Sequence, residues 1–307
     1  MKNFIDLESR CSLTFRQSGP YWHLWTSENH QIIFQDKESF IAGVNILAIC
    51  SRLIPDVKII TFQLMSNHLH LTLSGLIERI LLLFELFKRY LGKYLKGRGI
   101  SVDLSSFEAN FRELSTLQEL RNVITYNNRN GYVVTPDSTP FTYPWGANAY
   151  YYNDFAKSLY RESQSVLSKA ERRSLIHSHD SDKLKEPIIK VDGYACPMNF
   201  CCVTFGEAVF RCASHYFREI SRNIESQKDI AKELGERIFY SDDELFSVVL
   251  SICKDKYGGQ KPSLIPAVAK SEVALLLHNE YNASNKQIQR MLRLEASFVD
   301  SLFPKKN

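Results

Sequence analysis

Apolar and polar positions follow regular patterns over the first 130 residues of the chain. Aromatic, β-branched or alternating residues predict strands at 21–28, 56–65, 67–73 and 105–114. Apolar residues at helical spacing predict helices at 36–53, at 77–99, and from Ser115 to Gly131. The order β-α-β-β-α-β-α predicts an α+β fold in which helices pack on one face of a mainly antiparallel sheet.

The rest of the chain divides into two further regions. Residues 135–147 hold three prolines and predict an excursion that ends a first domain at 1–150. No role can be assigned to 151–235, in which the polar stretch 178–187 has the character of a linker or loop. Residues 236–307 show the spacing of several short helices. Capping residues are expected at the starts of two of these helices, namely Ser241 with Glu244, and Ser284, and Ser115 with Gln118 is expected to cap the earlier helix that starts at Ser115.

The strand predicted at 67–73 carries two histidines on one face. Side chains alternate along a strand, so the leucines at 69, 71 and 73 point into a core, whereas His68, His70 and Thr72 point the other way. The Cα atoms of His68 and His70 are then roughly 6 to 7 Å apart, a spacing at which two imidazoles can share one divalent metal. The alternative is a half-exposed strand with polar residues facing solvent.

Two other histidine patterns compete with this one. His177 and His179 have the same spacing but lie in a polar segment, which predicts a solvent-exposed pair. His70-Leu71-Thr72 also matches the H-x-[ST] pattern of two-histidine phosphoesterases, which need a second such strand. The other match, His179-Asp180-Ser181, does not lie in a predicted strand, so this hypothesis is the weaker one.

The helix that starts at Ser115 offers a nucleophile and a further ligand. Leu117, Leu120 and Ile124 form its expected core face, and a polar stripe on another face consists of Asn122, Tyr126 and Asn130. The Asn130 carbonyl oxygen could complete a set with His68 and His70 for Mg²⁺ or Mn²⁺. A tyrosine beside the metal could attack a polarised phosphate. A tyrosine and an asparagine without function near a helix end are the alternative.

Composition limits the classes of protein to which the chain can belong. Hydrophobic residues make up 44% and charged residues 23% of 307 residues, values typical of a globular protein of about two domains. No apolar run is long enough for a membrane span, and the first residues do not form a secretory signal. Seven cysteines are expected as reduced thiols in the cytoplasm. The net charge of +4 permits a nucleic-acid partner.

Three stretches in order resemble the signature regions of the REP-associated tyrosine transposases, which belong to the single-tyrosine HUH transposase superfamily. They are "IIFQDKESF", "FQLMSNHLHLTL" and "ITYNNRNGYVV" with a later "YPWGA", and they fall within about residues 15–150. Within them, Met65 to Leu71 matches the histidine motif, Tyr126 and Asn130 match the tyrosine helix, and Tyr143-Pro144-Trp145 matches the downstream motif. Ser66 and Gly131 stand where the family usually has proline.

The resemblance implies a ferredoxin-like or RRM-like HUH nuclease domain. By this resemblance, His68, His70 and Asn130 hold a divalent metal, and Tyr126 attacks single-stranded or hairpin DNA to form a 5′-phosphotyrosine and a free 3′-OH. The protein would then be a transposase-like DNA endonuclease and strand transferase. It remains open whether active sites form within one chain or between two chains of a homodimer. The alternative is a catalytically inactive, domesticated protein that binds DNA hairpins, as in a shifted alignment with Asn122 at the position of the tyrosine.

Basic residues suggest where DNA could bind. The expected nucleic-acid contacts are Lys88, Arg89, Lys93, Lys96, Arg98 and Arg129. The five near the end of the long helix also suit its dipole, so a solvated helix face explains them equally well. Residues 236–307 resemble the helix-turn-helix tail of some members of the family. The candidate recognition helix at 295–303 is acidic, which also fits a helical packing domain.

Overall fold

A computed structural model of the chain describes residues 6–27, 31–133, 142–222, 230–233, 240 and 242–304; for residues 130–133, 222 and 243 only the backbone is described. The chain forms two compact units, Met1–Ile220 and Ser221–Asn307. The predicted domain boundary at residue 150 therefore lies inside the first unit. The segment 151–220 belongs to that unit and is not a separate region.

A four-stranded antiparallel sheet forms the centre of the first unit. Its strands are β1 (Tyr21–Trp25), β2 (Lys58–Leu64), β3 (Leu69–Ser74) and β4 (Asn110–Glu113), in the order β2-β3-β1-β4. Every neighbouring pair is antiparallel. The predicted α+β class with an antiparallel sheet is therefore confirmed. The strands are shorter than the sequence pattern suggested, most of all the fourth.

The apolar face of the sheet, here called the leucine face, packs against α2 (Lys37–Leu53). This face includes Leu24, Phe62, Leu64, Leu69 and Leu71, all of which are completely buried. Gly43 of α2 allows the close approach, since a Cβ there would lie 2.6 Å from the Phe34 ring and 3.0 Å from Leu64. Asp36 begins α2 with a capping box to Ser39. The long helix α3 (Ile77–Gly97) packs against α2.

The opposite face, here called the histidine face, is also covered, which corrects the expectation that all helices lie on one side. Helix α4 (Leu117–Val133) packs on β2 and β3, and α1 (Leu7–Arg16), which the sequence did not reveal, packs beside α4. Leu120 and Ile124 are buried as expected. His70 and Thr72 are fully buried, so the half-exposed strand of the alternative reading is wrong.

The ends of α4 differ from the prediction in two respects. The capping pair is Thr116 with Glu119, whose backbone and side-chain groups bond reciprocally, and not Ser115 with Gln118. The Ser115 N–H also donates to the Glu119 carboxylate. The helix continues through Gly131 to Val133, so glycine does not end it there.

The segment 151–220 adds short helices to the first unit. They are α5 (Asp154–Glu162), α6 (Lys169–Ile176), α7 (Val203–Ala208) and α8 (Ala213–Arg222), together with the small hairpin β5 (Lys190–Val191) and β6 (Tyr194–Ala195). The Cys202 N–H donates to Ile59 at 2.7 Å, and the Ala195 N–H donates to Asn45 at 2.7 Å. These bonds join the segment to β2 and α2. All seven cysteines of the chain are free thiols.

The described residues of the second unit lie mainly in short helices, as predicted. They are α9 (Asp242–Lys256), α10 (Ala267–Tyr281), α11 (Asn285–Leu292) and α12 (Ala296–Leu302). Ser284 caps α11 through a capping box with Gln287, and Ile288 and Leu292 are buried. The predicted cap residue Ser241 lies outside the described residues. Within the described part of the chain, no helix is both long and apolar enough to span a membrane.

A buried polar network ties α8 to α4 and the sheet. The Tyr216 hydroxyl donates to Asn148 at 2.5 Å and accepts from the Asn128 amide at 2.8 Å. The amide oxygen of Asn128 in turn accepts from the Thr61 hydroxyl on β2. Tyr151 stacks on the Tyr216 ring with centroids 5.4 Å apart. Because these groups are buried, each broken bond leaves a polar atom in an apolar setting.

We therefore expect Tyr216→Phe to lower the free energy of unfolding by roughly 1 to 3 kcal/mol, since the change removes both bonds of the hydroxyl. Tyr94→Phe is the matched control, because the contacts of the Tyr94 hydroxyl, with the Glu38 carbonyl at 3.5 Å and with the exposed Arg98, lie at the surface. The control should change stability by less than about 0.5 kcal/mol. Urea unfolding of the full chain measures both. Equal losses in the two variants would contradict the assigned role of the network.

Candidate functional site

The two histidines of the predicted metal pair lie side by side at one end of β3. His70 is paired in register with Gln63 on β2 and with Trp25 on β1, and it is 0% exposed. His68 lies just before β3 and is 9% exposed. The centroids of the two rings are 5.1 Å apart and their planes are nearly perpendicular, at 86°. The sequence correctly placed them together on one face.

A hydrogen bond fixes the ring of His68. Its Nδ1 lies 2.8 Å from Oδ1 of Asn67, and only a protonated Nδ1 can donate to that carbonyl oxygen. The lone pair of the neutral ring is then on Nε2. The backbone carbonyl of His68 also accepts from the Met65 N–H at 2.9 Å, which closes the turn between β2 and β3.

Tyr126 reaches the same place from α4. Its ring centroid lies 5.8 Å from that of His70, and the planes meet at 83°. The register of α4 is held by Asn127, whose amide donates to the Thr72 hydroxyl at 2.9 Å. Tyr126 is only 1% exposed, so it faces the sheet and not the solvent. The structure thus brings His68, His70 and Tyr126 together, as the sequence predicted.

The other two members of the predicted polar stripe have different outcomes. Asn122 is half-buried on α4, where its side-chain oxygen accepts from Gln118 at 2.8 Å. The backbone of Asn130 lies in α4, but its side chain lies outside the described residues. The expected role of Asn130 as the third metal ligand therefore stays a prediction.

His23 is a third histidine in this cluster, and the sequence pattern did not reveal its place there. It lies on β1 opposite Thr72 and Arg112 and is 0% exposed. Its ring lies nearly parallel to that of His70, with centroids 5.5 Å apart, and 6.4 Å from Tyr126. The alternation of Tyr21, His23 and Trp25 was visible in the sequence. What was missing was the pairing of β1 with β3.

The three stretches that carry the family resemblance meet at the turn between β2 and β3. The N–H groups of Ile33 and Phe34 both donate to the carbonyl of Ser66 at 2.8 Å. The Tyr143 hydroxyl donates to the Leu64 carbonyl at 2.6 Å. The Leu64 N–H donates to Trp145 at 2.8 Å. Segments that are far apart in sequence thus support the turn that carries His68.

Burial keeps all three imidazoles neutral near physiological pH. It lowers the pKa of His68 to about 4. It also lowers the pKa of His23 to about 3, with a further contribution from the charge of Arg112. The pKa of His70 is held well below its usual value by burial and by the two neighbouring imidazoles. Neutral imidazole is the form that binds a metal.

The donors that are present suit a metal only in part. Among the described residues, no group of three His, Cys, Asp or Glu side chains is arranged to hold a metal ion. The predicted set draws only two donors from these types, His68 and His70, and its third is Asn130. The neutral state of both rings and the unprotonated Nε2 of His68 fit a divalent ion such as Mn²⁺.

The basic residues of α3 lie in a different helical layer, since α3 packs on α2 and α2 covers the leucine face. Arg89, Lys93 and Lys96 are exposed and Lys88 is half-buried, while Arg98 forms a salt bridge of 3.1 Å with Asp36. Arg129 is fully buried. The prediction that Arg129 contacts DNA does not fit this position, because its side chain does not reach the surface.

Two further tyrosines and the second histidine pair lie away from this cluster. Tyr90 donates its hydroxyl to Asp180 at 2.5 Å, and burial and this carboxylate raise its pKa to about 12. Tyr94 contacts the Glu38 carbonyl at the surface. His177 and His179 are exposed, as predicted. His179-Asp180-Ser181 lies at a 3₁₀ turn and not in a strand, so the second strand needed for a phosphoesterase is not found there.

Comparison of the chain with protein-family models, curated proteins and solved structures finds no match.

The buried histidines predict that the protein loses stability in mild acid. An unfolded histidine takes up a proton below a pH of about 6.5, whereas folded His68 stays neutral down to about 4. As the pH falls from 6.5 to 4, the unfolded chain binds more protons and the free energy of unfolding decreases. We expect His68→Gln to reduce this slope by about 1.4 kcal/mol per pH unit.

Urea unfolding at pH values from 7 to 4 measures the slope. His179→Gln is the control, because the side chain of His179 is 78% exposed and contacts only Asp182 among the acidic residues. An unchanged slope in His68→Gln would show that the ring is not held neutral by burial.

Proposed function

We propose that the protein is a metal-dependent single-stranded DNA endonuclease and strand transferase with Tyr126 as its nucleophile. The observation that carries the proposal is the convergence of His68, His70 and Tyr126 from facing elements. The ring centroid of His70 lies 5.1 Å from that of His68 and 5.8 Å from that of Tyr126. The order of the signature segments in the sequence, and their meeting at one turn, support it further.

The topology also supports a ferredoxin-like HUH domain. The elements β1, α2, β2, β3, α3 and β4 follow the β-α-β-β-α-β sequence of that arrangement. The strand order β2-β3-β1-β4 places the first and third strands in the centre. The tyrosine helix then packs on the face that α2 leaves uncovered.

In this proposal the chain supplies the ligands and the nucleophile. His68 and His70 would hold Mg²⁺ or Mn²⁺, with Asn130 as the expected third ligand, and the bound ion would polarise the scissile phosphate. The Tyr126 oxygen attacks phosphorus and the bond to the 3′-oxygen breaks. The phenol proton leaves and the 3′-oxygen gains one, so the products are a 5′-phosphotyrosine and a free 3′-OH. One phosphodiester replaces another, and the step can be reversed by a 3′-OH.

The proposal requires α4 to move, because Tyr126 and His70 are buried and DNA cannot reach them in this conformation. The contact between α4 and the sheet is partly polar, through Asn127 with Thr72 and Asn128 with Thr61. Water can replace such bonds at a net cost of about 0.5 to 1.5 kcal/mol each. In this conformation the histidines and the tyrosine that meet belong to one chain.

The same burial favours one alternative, a catalytically inactive protein that binds DNA hairpins. A tyrosine that is only 1% exposed can serve as a packing residue between α4 and the sheet. The two functions differ in one product, the covalent link between protein and DNA.

We expect a covalent adduct when the protein is incubated with single-stranded hairpin DNA and Mn²⁺ or Mg²⁺, denatured and run on a gel. Tyr126→Phe should form none, because phenylalanine has no oxygen to attack phosphorus. Tyr94→Phe, which changes a half-buried tyrosine on α3 whose hydroxyl contacts the Glu38 carbonyl, should form the adduct as the wild type does. An adduct in Tyr126→Phe would place the nucleophile elsewhere. Hairpin binding without an adduct, with either metal, would favour the inactive binding protein.

The exposed lysines of α3 offer a separate test of DNA binding. We expect the double variant Lys93→Gln and Lys96→Gln to weaken binding and to reduce the slope of log affinity against log salt. The reduction should be roughly 0.7 for each single-strand phosphate that the variant no longer neutralises. Lys58→Gln, an exposed lysine at the start of β2, is the control. Fluorescence anisotropy from 50 to 300 mM salt gives the slopes. Equal slopes in all proteins would mean that α3 presents only a solvated face.

A further inference from the structure

His23 is a buried histidine that the proposed reaction does not use. It lies in the middle of the sheet, flanked in register by Thr72 and Arg112, and its ring lies 5.1 Å from that of Trp25. Its side chain is 0% exposed. A hydrophobic residue at this position would fill the space without placing a polar ring in the core, so the polar atoms of His23 require an explanation.

The ring of His23 forms a hydrogen bond with the proposed metal ligand His70. Nδ1 of His70 lies 3.4 Å from Nε2 of His23. Both rings are neutral, so one nitrogen of the pair must carry the proton and the other must accept it. If His70 donates, its lone pair is on Nε2. If His23 donates, His70 carries its own proton on Nε2 and that nitrogen cannot bind a metal.

The surroundings of His23 favour the first arrangement. Arg112 and Asn127 are further polar neighbours of the His23 ring, and of these two only Asn127 can accept a hydrogen bond, because a guanidinium has no acceptor. The amide nitrogen of Asn127 donates to Thr72, which leaves its carbonyl oxygen as the group that can face the ring. A carbonyl oxygen favours a proton on the nearer nitrogen of His23. Nε2 of His23 is then the acceptor for His70.

We propose that His23 is a positioning residue for His70: its Nε2 accepts the Nδ1–H of His70 and so holds the tautomer whose Nε2 can bind a metal. The inference rests on the proposed function, in which His70 is a ligand. Metal-binding histidines commonly donate their second N–H to such a partner, and loss of the partner typically weakens metal binding 10- to 100-fold. His68 has an equivalent partner in Asn67.

The tautomer of His70 can be read without metal or DNA by long-range ¹H–¹⁵N NMR of protein labelled at histidine. In the wild type we expect His70 to be protonated on Nδ1. His23→Gln places an amide oxygen near the position of Nε2, so it should keep this tautomer. His23→Phe removes the acceptor and should shift His70 toward protonation on Nε2. His278→Phe, a change at a histidine of the second unit that stacks on Phe303, should leave the His70 signals unchanged.

Wild-type protein with His70 protonated on Nε2 would overturn the proposal, even if His23→Phe does not fold. An unaltered tautomer in folded His23→Phe would overturn it as well. A role for His23 in packing alone would be better preserved by phenylalanine than by glutamine. If His70 stays protonated on Nδ1 in His23→Gln but not in His23→Phe, His23 acts as a positioning residue and not by packing alone.

Titration with Mn²⁺, followed by calorimetry, separates this inference from the proposed function. We expect affinity in His23→Phe to fall about 10-fold or more, and affinity in His23→Gln to stay near that of the wild type. Wild-type affinity in His23→Phe would overturn the role of His23 and leave the proposed function standing. A wild type that binds no Mn²⁺, in spite of the expected tautomer, would overturn the metal-dependent function and leave the His23–His70 contact standing.

Discussion

The pairing of β3 between β1 and β2 is the constraint on which the rest of the first unit depends. Because side chains alternate, the buried leucines of β3 fix its register, and that register places His70 and Thr72 on the other face. A slip by one residue would exchange the two sets and put imidazoles against α2. The same pairing brings His23 of β1 beside His70, so the position of the cluster follows from the packing of the leucine face.

Covering the histidine face with α4 has a consequence for chemistry. Burial favours neutral rings, which keeps the lone pairs available, but it also hides Tyr126 from any large substrate. The interface between α4 and the sheet is partly polar at this point. Asn127 and Asn128 bond to threonines on the sheet, so the helix is held at this point by bonds that water can replace as well as by apolar contacts. In the proposed reaction α4 must move away from the sheet, and such bonds make that movement easier than interlocking leucines would.

The sequence predicted the parts of this structure that depend on local pattern. The strands, α2, α3 and the facing of His68 and His70 follow from periods of two and of 3.6 residues. Which face α4 covers does not follow, because α4 carries both apolar and polar stripes and either can face a sheet. The place of His23 was missed for a related reason. Alternation along β1 shows which face His23 is on, but only the pairing of β1 with β3 places it beside His70. The segment 151–220 joins the first unit through backbone hydrogen bonds, such as the one from the Cys202 N–H to the Ile59 carbonyl, and such bonds cannot be predicted from a pattern of residue types.

Ser66 and Gly131 stand where the family that the sequence resembles usually has proline, and the two positions differ in what they do in the fold. At residue 66 the bonds from Ile33 and Phe34 are accepted by the backbone carbonyl, which a proline would supply equally well. With serine at residue 66 the turn keeps both of these hydrogen bonds, so the position of His68 does not depend on a proline there. Gly131 differs, because α4 passes through it and continues to Val133. A proline at this position would lack the N–H that bonds within the helix, so glycine permits a longer helix after Tyr126 than the usual residue would.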